Sequence, residues 1–90
     1  MDARIAEGIM RGKTPETLTP SELDLDREPL TRTPVSRPVK AWVRYAGVPL
    51  LVDAEAVAWT EFAVAIRWLS PDGEHRAWVW TSAIRPRRSP

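Results

Sequence analysis

The stretch "FAVAIRWLSPDGEHRAWVW", residues 62–80, decides the fold, because it holds two apolar runs of period two around a single turn. In Ser70-Pro71-Asp72-Gly73, proline fixes φ near about −65° and suits the second position of a type I turn, with Gly73 in the fourth position, ready for the left-handed conformation. That reading makes a three-residue loop, pairs Ser70 with Glu74 and Trp68 with Arg76, and gathers Phe62, Val64, Ile66, Trp68, Trp78 and Trp80 on one core face. The rival register takes Asp72-Gly73 as a two-residue turn and pairs Leu69 with Arg76. It stands Trp78 and Trp80 beside Arg67 and Arg76 on a solvent face, as a cation-aromatic patch. Pro71 favours the first.

The same period extends to either side. From Val39, the residues Val39, Ala41, Val43 and Tyr45 oppose Lys40, Trp42 and Arg44; then Val52, Ala54, Ala56 and Ala58 oppose Asp53, Glu55, Val57 and Trp59. A last short strand, "AIRP", is entered through a tight turn at Thr81-Ser82-Ala83. Five short strands over residues 39–86 predict an all-β fold, a small five-stranded barrel that leaves no long edge. A basic tail, residues 87–90, follows it. In "AWVRYAGV", "AEAVAW…FAVAIRWLSPDGEHRAWVW" and "TSAIRP" the chain resembles the SH3-like barrels of the Tudor, chromo-barrel and KOW type. The resemblance implies binding of peptides, modified side chains or nucleic acid through strand faces and loops.

Residues 1–38 read differently. They hold five of the nine prolines and none of the five tryptophans, which predicts an extended Pro-rich arm with at most short helical turns. Asp2 is a fitting N-cap for one short turn that places Ile5 and Ile9 on a face beside Met10. Thr19-Pro20-Ser21-Glu22 matches a capping box with proline at the first helical position. Pro29 stops that turn, and Pro34 and Pro38 push the residues before them toward extended backbone.

Charge is nearly balanced in both parts, with six basic and seven acidic groups in residues 1–38 and seven and five thereafter. The absence of cysteine excludes disulfides and thiolate metal sites, and fits a reducing cytoplasm. The first residues lack the apolar run of a signal peptide, and no window approaches the ~18 apolar residues of a membrane span. Having only two lysines, Lys13 and Lys40, among many arginines points to a G+C-rich coding source, a bacterium or its phage.

The sequence carries no phosphate loop, zinc spacing or nucleophile elbow. His75, the one histidine, flanks a turn and reads as a solvated imidazole, and Asp53 with Glu55 reads as a charged outer face. The expectation is therefore no enzyme, no metal, no cofactor and no small-molecule substrate. Two partner classes remain. The first is protein: an interaction or assembly module whose arm docks through Ile5, Ile9, Met10, Leu18, Leu23, Leu25 and Leu30, with Trp42 and Trp59 as further contacts. The alternative is nucleic acid, held by Lys40, Arg44, Arg67, Arg85, Arg87 and Arg88, although a net charge of +1 is weak for tracking phosphates.

Overall fold

The alternation that begins at Val39 is realised as strand, with Ala41, Val43 and Tyr45 buried and Trp42 and Arg44 exposed between them. A computed structural model describes residues 3–87 of the chain. Its elements are α1 (Ala3–Met10), α2 (Pro20–Leu23), β1 (Thr31–Tyr45), β2 (Val48–Trp59), β3 (Ala63–Ser70), β4 (Gly73–Trp80), a 3-10 turn (Thr81–Ala83) and β5 (Ile84–Pro86). The strands form one antiparallel sheet in the order β4-β3-β2-β1-β5. The fold is mostly β with small helices, as expected, but the sheet is not closed into a barrel.

The β3–β4 hairpin adopts neither anticipated register. Ser70 pairs with Gly73, so the loop is the two residues Pro71 and Asp72, and Trp68 faces His75, Ile66 faces Ala77 and Val64 faces Val79. Ser70 decides this locally. Its hydroxyl accepts the Asp72 N–H at 3.2 Å and donates to the Gly73 carbonyl at 2.9 Å, closing the turn one residue earlier than a Gly73-containing loop. Because side chains alternate, that single residue moves Trp78 and Trp80 off the core face and puts Ala77 and Val79 there instead. Phe62, expected in the core, precedes the strand and is 52% exposed.

A second irregularity lies in β2. Ala56 pairs with Ile66 but Ala58 with Ala65, so Val57 is the extra residue of a β-bulge. Past it the faces exchange, and Trp59 turns toward the core, with the Arg37 guanidinium 5.2 Å above its ring.

The N-terminal residues do not form an extended arm. β1 starts at Thr31, pairs Thr31 with Trp59 and Arg32 with Ala58, loops out residues 33–36, and rejoins the ladder at Arg37, so the sheet already includes residues on the N-terminal side of residue 38. Four buried alanines, Ala41, Ala54, Ala56 and Ala77, leave the inner face too shallow to fill itself. Helix α1 supplies the missing volume. Met10 is only 7% exposed, and Ala6 and Ile9 pack beside it. The predicted capping box is present at α2, where Thr19 and Glu22 bond each other's backbone N–H. The chain then leaves α2 through Asp24 in the left-handed region, φ 50°.

Residues 16–18 span the gap between the edge strand β4 and the part of β1 that lies beyond its pairing with β5. The Glu16 N–H donates to the Arg44 carbonyl at 2.8 Å and the Leu18 N–H to the Trp78 carbonyl at 3.0 Å. The Trp78 N–H donates to Thr17 Oγ1 at 2.8 Å, and the Glu16 carboxylate accepts the Gly47 N–H at 2.7 Å. Three residues of irregular chain thus do locally what a ladder between β1 and β4 would do in a closed barrel.

Candidate functional site

Where residues 16–18 cross the sheet edges, the displaced tryptophans meet Trp42. Trp42 on β1 is 44% exposed and Trp80 on β4 is 42% exposed. With Leu18, Arg44, Trp78 and Ala83 they line a groove of about 390 Å³. On the other side of the crossing segment a second groove, about 500 Å³, is lined by Leu25, Leu30, Val57, Ala65 and, again, Trp78. Trp78 is half-buried and forms the ridge common to both. The outer face therefore carries a broad, largely apolar strip, with Arg32, Arg67 and Arg76 also lining the second groove, whereas the outer face of a free-standing sheet is ordinarily polar throughout.

Of the protein-binding residues expected from sequence, Leu18, Leu25, Leu30 and Trp42 are brought together at this strip. Ile5 is exposed on α1, away from it. Met10 and Leu23 are buried within the chain's own fold, and Ile9 and Trp59 are packed against the core, so these four are not offered to a partner. Trp78 and Trp80 are the site residues that the favoured register placed in the core; they stand on the face the rival register gave them, with Arg67 and Arg76, although the pairing itself differs from both. The signal that finds them is Ser70, a turn-forming hydroxyl immediately before Pro-Asp.

The basic residues are mostly engaged. Lys40 lies 3.5 Å from Asp53 and Arg67 lies 3.7 Å from Glu55. The Ser36 hydroxyl bonds the Glu55 carboxylate and, with Arg67 and Arg87 nearby, holds its pKa below the ordinary carboxylate value. Arg85 spends its guanidinium on the Ser82 and Ile84 carbonyls, and Arg44 reaches the Gly47 carbonyl at 3.4 Å. Arg88 lies outside the described residues. Asp53 and Glu55, the two carboxylates at i, i+2, are thus each turned to a separate cation.

His75 is not the solvated imidazole its position implied. It sits on the core side of β4, where the Trp68 indole N–H donates to the Tyr45 hydroxyl at 3.0 Å and that hydroxyl lies 2.6 Å from His75 Nδ1. Ser70 Oγ lies 3.1 Å from His75 Nε2, and its one proton is already given to Gly73. Nε2 therefore carries the imidazole proton, leaving Nδ1 to accept from Tyr45. Every donor in this chain has an acceptor. Burial pushes the Tyr45 phenol pKa up, with the Asp72 charge adding to it against the opposing Trp68 bond. The chain ends in a backbone carbonyl rather than at an open cleft, so its chemistry is that of a lock on the turn.

Among the described residues no group of three His, Asp or Glu side chains is placed to hold a metal ion, and no helix is long and apolar enough to cross a membrane. Comparison with family models, with curated proteins and with solved structures finds no match to this chain.

Proposed function

We propose that the protein is a non-catalytic interaction module that binds a protein partner on the outer apolar strip, through Trp42, Trp78 and Trp80 with Leu25 and Leu30 at its margin. The single observation carrying this reading is the clustering of three tryptophan rings from β1 and β4 over two grooves, Trp42 and Trp80 exposed and Trp78 half-buried. Tryptophans of this kind are the anchors that dominate protein interfaces, because each buries a large rigid area at low entropic cost. The meander of β1 to β4, the 3-10 turn and the return of β5 to β1 support the SH3-like likeness, with residues 16–18 standing where closure would be. Docking by a free N-terminal arm gives way to docking on the sheet, since Ile9, Met10 and Leu23 are spent inside the molecule and Leu18, Leu25 and Leu30 line the grooves beside the tryptophans.

Nucleic acid is the weaker reading, because Lys40 and Arg67 are neutralised by Asp53 and Glu55 rather than aligned toward a backbone of phosphates. The test is differential capture from the source cell with the wild-type protein and a Trp42→Ala/Trp80→Ala variant of unchanged fold. A specific protein retained by the first and lost by the second is expected. Equal capture by both, or salt-sensitive binding of single-stranded oligonucleotides that both proteins share, overturns the reading.

A further inference from the structure

The hairpin leaves part of β4 as an unpaired edge. In an antiparallel ladder, successive residues turn their N–H and C=O groups alternately toward and away from the neighbouring strand. Trp78 turns both outward, to Thr17 and Leu18, so Arg76 and Glu74 do the same two and four residues earlier. No hydrogen bond among the described residues uses those backbone groups of Glu74 and Arg76. The edge is bounded by the turn on one side, where the Gly12 N–H donates to the Asp72 carboxylate, and by the crossing segment at Trp78 on the other, with His75 at its centre.

Edge strands in soluble proteins are ordinarily guarded by like charge, proline or a bulge. This one is self-complementary instead. Glu74 and Arg76 carry opposite charges two residues apart on the outer face, 2.7 Å from one another. A two-fold axis at His75 sets Glu74 of one copy opposite Arg76 of the other, twice, and makes these the residues that exchange backbone hydrogen bonds. Within one chain Arg76 stands directly opposite Arg67 across the hairpin and already bonds its own Glu74, and the second copy's Glu74 adds a further carboxylate on its other flank.

We propose that β4 pairs with β4 of a second copy of this chain, antiparallel about His75, to give one continuous sheet across a symmetric dimer. Sedimentation velocity on the full chain tests it, with Glu74→Arg, Arg76→Glu and the double swap E74R/R76E, each confirmed folded by circular dichroism. Wild type is expected to dimerise. Each single reversal sets like charges opposite one another twice and raises the dissociation constant about tenfold or more, which corresponds to about 1.4 kcal/mol per factor of ten. The double swap restores opposite pairs and restores the dimer. A wild-type protein that stays monomeric up to millimolar concentration overturns the proposal. Dimers that survive both single reversals place the contact elsewhere and overturn it too, as does a double swap that fails to rescue.

Discussion

Trp68 and Trp80 lie on the same hairpin, yet meet opposite fates. Trp68 is 4% exposed, its indole N–H satisfied by Tyr45 and its ring edge-on to Tyr45 and His75. Trp80 stands on the other face with no such partner. Neither difference is written in the residue type; both follow from parity about the turn. The pair teaches that in a small sheet a tryptophan is a stability residue or a recognition residue according to one hydroxyl at Ser70.

The sharpest way to break this contrast is to truncate both. Trp68→Ala is expected to cost about 3 to 5 kcal/mol in denaturant unfolding, as a buried aromatic leaving a cavity, and Trp80→Ala less than about 1 kcal/mol. Equal losses remove the distinction. Next in size is Met10→Ala, expected to cost about 2 to 3 kcal/mol by the same measurement, because Met10 is part of the inner face rather than of a free arm. A change near zero detaches α1 from the core. Tyr45→Phe is expected to cost about 1 to 3 kcal/mol, since it strands the buried Trp68 donor and the partly buried His75 acceptor while removing little volume.

The inner faces of β1 and β2 were legible in the sequence because Ala41, Val43, Tyr45, Ala54 and Ala56 alternate without interruption. The α2 cap was legible because its donors and acceptors lie within four residues of each other. Three things were not. The hairpin register turned on Ser70, whose side chain competes with Gly73 for the turn and leaves no periodic trace. The bulge at Val57 sits in an alanine-rich run where either face looks alike, so the inward turn of Trp59 had no local marker. The docking of α1 depends on volume left empty by alanines more than thirty positions away, and that of residues 16–18 on hydrogen bonds to strands equally distant from any local window. The candidate site inherits the first error: Trp42, Leu18, Leu25 and Leu30 were identified, and the two tryptophans that join them were assigned to the core by the favoured register and to the outer face only by its rival.

The smallest effect concerns the outer face beneath the strip. Glu55 has a folded pKa below its ordinary value of 4.5, so it contributes stability that is present above that value and is lost as pH falls through the folded one. Ser36→Ala removes the largest cause of the depression. Thermal melts are expected to show wild type above the variant at neutral pH, and the two converging in acid. A gap that persists unchanged below pH about 3 assigns the loss to packing instead.

The pairing across the hairpin is what sends Trp78 and Trp80 outward, and cross-strand Hα–Hα nuclear Overhauser effects read it directly. Residues that face each other without exchanging hydrogen bonds bring their Cα atoms to about 4.5 Å. With Ser70 paired to Gly73, strong Hα–Hα effects are expected between Arg67 and Arg76 and between Ala65 and Trp78. A strong effect joining Ile66 to Trp78 instead returns both tryptophans to the core face and contradicts the outward strip.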